Sequence, residues 1–392
     1  MSTMERILRL MGEKQASDVY LSANAPALIK IHGECVPINN QLLPPDAPRS
    51  LLAEIVPPER MAELEATGEL NMGVPLRGVG RFRVSAMRQR GTYAVVIRFI
   101  AQHIPAMASL NLPPVLSELI LQKRGLLLVV GATGSGKSTT LASMIDERNQ
   151  NVTGHILTIE DPIEYQFRNQ RSIVNQREIG SDTDSLQTAL RNALRQAPDV
   201  ILIGEIRDRE TMSAALAYAQ SGHLCLATLH ANNSYHALGR ILSFYPVEVR
   251  DTMLGDLAAA MRAIVSQRLV RTPAGTRTPA VEVMLNTKLI ADLIEKGDFS
   301  GVRDAMEKSM AEGSQTFEEA LAALIHAGKI ERKEGLAHAD SPTNLMWRLQ
   351  NDFSPSAKTP APPPSTDSSA ATKAEDDRPS FTEIVLDIGA GG

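Results

Sequence analysis

Cysteine is nearly absent: Cys35 and Cys225 are the only two in 392 residues. Two such distant thiols exclude a disulfide framework and a four-cysteine zinc module, and they suit a reducing cytosol. No apolar run approaches the ~18 residues that a membrane span needs. The N-terminal "MSTMERILRLMGEKQ" reads as a short amphipathic helix. It lacks an apolar core followed by a small-residue cleavage site, so no signal peptide is expected and the chain reads as cytoplasmic. Charge of one sign is also missing. The net charge is −5 with both signs interspersed, and no basic stripe advertises a nucleic-acid partner. With 43% apolar and 22% charged residues, what remains is an ordinary soluble globular composition, long enough for two or three domains.

The texture changes along the chain. Up to about residue 105, "SDVYLS", "ALIKIHGECVPI" and "GRFRVSAMRQRGTYAVVIRFI" read as strands, with turns at Gly33 and Gly91. This predicts an α+β domain with an antiparallel sheet over 1–105. Proline-rich "AQHIPAMASLNLPP" shows no periodicity, so 106–114 is expected to be a linker and a candidate hinge. Beyond Val115, near-continuous apolar runs ("LLLVV", "HILTI", "VILIGE", "LCLATL") alternate with helical patterns. Such strands belong in a parallel sheet covered on both faces. The expected α/β domain spans 115–350, helical from about 286. Residues 354–380 contain no Val, Ile, Leu, Met or aromatic residue, so a disordered tail is expected over 351–392. Its last stretch, "FTEIVLDIGAGG", regains apolar residues and reads equally as a docking peptide or as an idle end.

"GATGSGKST" matches G-x-x-x-x-G-K-[ST] between the strand "GLLLVV" and the helix "KSTTLASMIDERN". Gly131, Ala132, Thr133, Gly134, Ser135, Gly136, Lys137, Ser138 and Thr139 would therefore cradle phosphates with backbone N–H groups and a helix N-terminus. Lys137 would neutralise the β- and γ-oxygens, and Ser138 would bind Mg²⁺. The expected cofactors are ATP and Mg²⁺. In "DVILIGE", Gly204 stands where an aspartate usually precedes the glutamate, leaving Glu205 to hold the metal directly or through water. "TIEDPIEY" adds Glu160, Asp161 and Glu164 just past a buried strand, at the edge where ligands bind in open α/β sheets. One of these acids could take a proton from the attacking water, or the set could serve only to cap loops.

"GHLCLATLHANNS" places His223 and His230 at opposite ends of one strand. Seven strand residues span roughly 23 Å, so the two cannot share a metal ion. His230, at the C-terminal edge, can reach a γ-phosphate as a donor, whereas His223 would work across a subunit contact or hold structure.

P-loop, acidic box, "GEIRDRET" and paired-histidine box, in this order, resemble the secretion ATPase superfamily, and within it the pilus retraction ATPases of the PilT/PilU type. The likeness runs from "ASDVYLS" to about Leu349. It implies a PAS-like N-terminal domain, a RecA-like P-loop NTPase domain and a hexameric ring at the cytoplasmic face of the inner membrane, powering or assisting pilus retraction. Implied partners are a PilT-type retraction ATPase and the platform protein PilC, with membrane association only through partners. The resemblance makes Lys137 the phosphate lysine, Glu205 the metal-organising glutamate, Glu164 the water-activating base, and His223 with His230 the histidine box. It also gives a use to the arginines at 77, 81, 83, 88, 90 and 98, six within 22 residues with no lysine among them. A neighbouring subunit could insert some as trans-acting fingers, with Arg81 and Arg98 the first candidates. Ala132, in place of a proline, and "LIADLIEKGDF" (289–299), in place of an arginine–asparagine motif, point to the accessory PilU type. A regulatory ATP-binding partner of another ring and an assembly ATPase are the alternatives.

Overall fold

The computed structural model describes residues 1–31, 34–100, 103–309 and 311–351. The turn at Gly33, the first residues after Ile100 and the expected tail from 352 lie outside the described residues.

The N-terminal domain begins with α1 (Thr3–Glu13), where the Ser2 side chain accepts the Glu5 N–H and Met4, Leu8 and Met11 form the buried stripe. It continues through β1 (Asp18–Ser22), β2 (Pro26–Ile31), β3 (Glu34–Leu42), α2 (Ala47–Ala53), α3 (Pro58–Thr67), β4 (Glu69–Leu76), β5 (Gly80–Gln89) and β6 (Thr92–Ile100). The strands form a six-stranded antiparallel sheet in the order β3-β2-β1-β6-β5-β4. Phe82, Val84 and Ile97 face its core with the α1 stripe. Alternation therefore puts Arg81, Arg83 and Arg98 on the opposite face, since Arg83 pairs with Arg98 across β5 and β6. The α+β expectation and the hairpin at Gly91 hold.

The expected linker 106–114 is not free. Met107 is buried in the second domain's core, and the Pro105 carbonyl accepts the Ser143 hydroxyl. Scattered apolar residues anchor a segment that has no periodicity of its own.

The second domain runs α4 (Val115–Ile120), β7 (Gly125–Val130), α5 (Lys137–Asn151), β8 (Gly154–Glu160), β9 (Ser172–Glu178), α6 (Leu186–Ala193), β10 (Val200–Ile203), α7 (Arg209–Gln220), β11 (Leu224–Leu229), α8 (Ser234–Ser243), α9 (Arg250–Ala260), β12 (Met261–Arg271) and β13 (Arg277–Leu285). Its seven strands take the order β13-β12-β7-β11-β10-β8-β9, parallel except for β13. β7, β10 and β11 are buried throughout because helices cover both faces. Strand β9 and the β12–β13 hairpin escaped the sequence reading. β9 mixes polar and apolar residues at a sheet edge, and the hairpin is antiparallel in an otherwise parallel sheet.

Helices α10 (Lys288–Glu295), α11 (Val302–Glu307), α12 (Phe317–His326), α13 (Arg332–His338) and α14 (Pro342–Asn351) complete the described chain. Phe317 and Leu321 bury against Val270 and Ala280 of the hairpin. Thr316 and Glu319 close α12 with reciprocal hydrogen bonds.

Candidate active site

The C-terminal ends of β7, β8, β10 and β11 open into a cavity of about 820 Å³, in the range of small-molecule and cofactor sites. Its wall includes Lys137, Ser138, Glu160, Glu164, Glu205 and His230, drawn from four separated segments, and also Arg98.

The phosphate loop is shaped by glycines whose backbone would strain any other residue. Gly136 sits at φ 90° and starts α5. A Cβ there would lie 2.7 Å from Gln267 Nε2, and one on Gly131 would lie 2.6 Å from the Gln267 carbonyl. Lys137 is buried, and its Nζ donates to the carbonyls of Gly131 and Ala132 at 2.8 and 3.0 Å. Burial lowers its pKa, while the carboxylates of Glu205 and Glu164 oppose that shift and favour the ammonium. Ser135 Oγ is buried without a hydrogen-bond partner. A glycine cradle, a buried cation and an orphaned hydroxyl fit a polyphosphate.

Glu205 stands two residues past the end of β10, after Gly204. Its two oxygens meet His230 Nε2 at 3.1 Å and Arg207 Nε at 2.7 Å. Arg207 also lies 3.7 Å from Asp161. Gly204 sits in close quarters: a Cβ would lie 3.2 Å from the Ile159 carbonyl and 3.3 Å from Glu160 Cα, so an aspartate there would need the neighbouring backbone to give by a few tenths of an ångström. Glu160 accepts hydrogen bonds from Thr158 Oγ1 at 2.7 Å and Gln176 Nε2 at 3.2 Å. Burial nevertheless pushes its pKa up. Glu164 is exposed in the cleft. Thr139 Oγ1 pairs with the Tyr165 hydroxyl at 2.8 Å, joining the loop to the acidic box.

The sequence candidates divide into those gathered here and those placed elsewhere. His223 is not brought to the cleft: it sits at the other end of β11, with Nδ1 3.0 Å from Ser221 Oγ. Arg98 reaches the wall while Asp18 holds its Nε at 2.8 Å. Arg81 does not line the cleft and pairs within its own chain with Glu178. Two residues were missed. Arg207 stood inside a quoted box without a role. Gln267 lies in a run, "IVSQRLV", with no local signal at all. Its Nε2 donates to the Ser135 carbonyl at 2.8 Å and its Oε1 accepts Thr140 Oγ1 at 2.7 Å, clamping the phosphate loop from β12.

The family model described as "Type II/IV secretion system protein" matches residues 60–325. The chain belongs to this family. Its relatives include the type IV pilus ATPase PilU of Pseudomonas aeruginosa, 48% identical over 88% of this chain and 91% of that one. The type IV pilus retraction ATPase PilT of the same organism is 36% identical over 86% of this chain and 98% of that one. Among solved structures, the pilus retraction motor PilT with bound ADP superposes with a TM-score of 0.82 and 38% identity, covering 88% of this chain and 99% of that one. Membership of this family, whose relatives are ATPases, makes the chain an ATPase. Among the described residues no helix is long and apolar enough to cross a membrane.

Proposed function

We propose that the chain is a subunit of a homohexameric ATP-hydrolysing motor that powers or assists type IV pilus retraction, of the accessory PilU type. One observation carries the reading. Lys137, Ser138, Glu164, Glu205 and His230 meet around one cleft, in a chain 48% identical to a type IV pilus ATPase over nearly its whole length. Ala132 and "LIADLIEKGDF" support the accessory type. The ring would sit at the cytoplasmic face of the inner membrane, on the platform protein PilC and beside a PilT-type ATPase.

In this reading the phosphate loop and Lys137 hold the β- and γ-phosphates, and Ser138 and Glu205 hold Mg²⁺. The bound ion supplies charge neutralisation for the phosphoryl oxygens. Glu164 takes the proton of the water that attacks the γ-phosphorus, and the bond to the ADP oxygen breaks. His230, seated on Glu205, registers whether the γ-phosphate is present. Arg98 lines the cleft of its own chain, where its permanent charge favours phosphate oxygens.

Lys137→Ala and Glu205→Gln are expected to lower ATP turnover by at least a hundredfold in a phosphate-release assay; undiminished turnover in either rejects the site. Retraction of labelled pili under an optical-trap load, with and without the gene, tests the motor. Retraction that persists unloaded but stalls at lower force identifies the accessory type. Loss at every load identifies a primary motor, and no change assigns the ATPase to another filament or secretion machine.

A further inference from the structure

Arg81, expected to serve a neighbour's phosphates, is engaged at home. It stands on β5 of the N-terminal domain, and its Nη2 donates to Glu178 Oε2 at 2.9 Å. Glu178 ends β9 in the ATPase domain and is only 2% exposed. The same Oε2 accepts the Ile163 backbone N–H at 3.2 Å, and Oε1 accepts Ser181 Oγ at 3.2 Å. Ile163 lies between Asp161 and Glu164 on the loop that forms the acidic wall of the cleft. The guanidinium is tightly seated: a Cβ on Gly73 of β4 would fall 2.5 Å from Nη2, and Arg81 Nε is buried without a partner.

One carboxylate oxygen thus joins two things that chemistry has no other reason to join, the N-terminal domain and the catalytic loop. We propose that Arg81 is a positioning residue acting in cis. Through Glu178 it fixes the 161–164 loop, so that Glu164 is in place only while the N-terminal domain is docked on its own ATPase domain. Undocking would leave a buried carboxylate without its cation, a costly state that loop rearrangement relieves. Closure between the domains and correct placement of the base are then one event. This rests on the ATPase reading of Glu164 and deepens it.

The test uses the full chain with Arg81→Ala, Glu178→Gln and the double variant. Glu178→Gln keeps an oxygen for the Ile163 N–H, removes the charge that pairs with Arg81, and leaves an NH₂ in place of the oxygen that accepts Ser181 Oγ. Each single variant is expected to lower kcat about ten- to a hundredfold with KM within about twofold, the signature of a displaced catalytic group. The double variant is expected to lose no more than the worse single one, because both remove one link. Hydrogen–deuterium exchange of the peptide covering 160–166 is expected to quicken in Arg81→Ala, a readout independent of turnover. Wild-type-like kcat in Glu178→Gln alongside a slow Arg81→Ala identifies a finger acting on a neighbour and overturns the proposal. So does a lowered melting temperature with unchanged kcat, or unchanged exchange of the loop. Turnover that is insensitive to Lys137→Ala rejects the ATPase reading itself, and the proposal with it. Lys137-dependent turnover with unchanged Glu178→Gln kinetics rejects the proposal alone.

Discussion

Gln267 shows how much of the proposed nucleotide site can rest on one neutral side chain. It is 3% exposed and satisfies a carbonyl and a hydroxyl on either side of Gly136. Replacing it with leucine keeps the volume but strands two buried polar groups, each worth about 1–3 kcal/mol. Gln267→Leu is expected to fold and to raise the KM for ATP about tenfold or more in a steady-state assay; an unchanged KM would mean that the loop holds its shape unaided. Nothing in the local sequence marks this residue, because its partners lie more than 120 residues away in the chain. Lys137, Ser138 and Glu205 were legible for the opposite reason: each belongs to a short motif whose spacing is itself the chemistry. Arg81 lay between these cases. Its charge and its setting among arginines were visible, but whether it served its own chain or a neighbour depended on Glu178, in a strand the sequence reading did not find.

At the scale of elements, the buried parallel strands announced themselves by unbroken apolar runs, and the edge elements did not. The β12–β13 hairpin carries apolar and polar residues together because it serves two surfaces. Arg268, the residue after Gln267, points the other way and binds the Asp340 carboxylate, the His338 carbonyl and the Asn232 carbonyl, with its guanidinium over the Phe317 ring. One strand thereby touches the phosphate loop with one residue and the C-terminal helices with the next. Nearby, Glu282 of β13 is buried, accepting the Ser234 N–H and Ser266 Oγ at 2.8 and 2.9 Å. Burial pushes its carboxyl pKa above the ordinary value. A raised carboxyl favours the protonated folded state, so this stabilisation is full below the ordinary carboxylate range near ~4.3 and is lost as pH rises through the raised pKa. Glu282→Gln keeps an acceptor oxygen and removes the desolvated charge. It is expected to raise the melting temperature at pH 8 by a few degrees and to lose that advantage towards pH 4; a lower melting temperature at pH 8 would show the charge to be compensated.

At the scale of the whole molecule, two domains of different sheet architecture meet at an ion pair, and the ring proposed above would multiply that contact around its circumference. If the subunits act in concert, adding Lys137→Ala chains to wild type is expected to reduce turnover more steeply than in proportion to the mutant fraction. A linear decline in the same ATPase titration would mean independent sites. The α/β class and the change from an antiparallel to a parallel sheet were readable because composition and periodicity change along the chain. The seating of one domain on the other was not, since it depends on pairs such as Arg81 and Glu178, 97 positions apart. The sheet order carries one more consequence. The phosphate loop follows β7, yet the strands flanking β7 are β11 and β12, and the clamp at Gln267 arrives with the latter. During synthesis the motif at 131–139 therefore leaves the ribosome long before the strands that shape it. A nascent chain shorter than Gln267 carries the motif but not the clamp on its loop, so the pocket takes its final shape only after about two thirds of the polypeptide has been made.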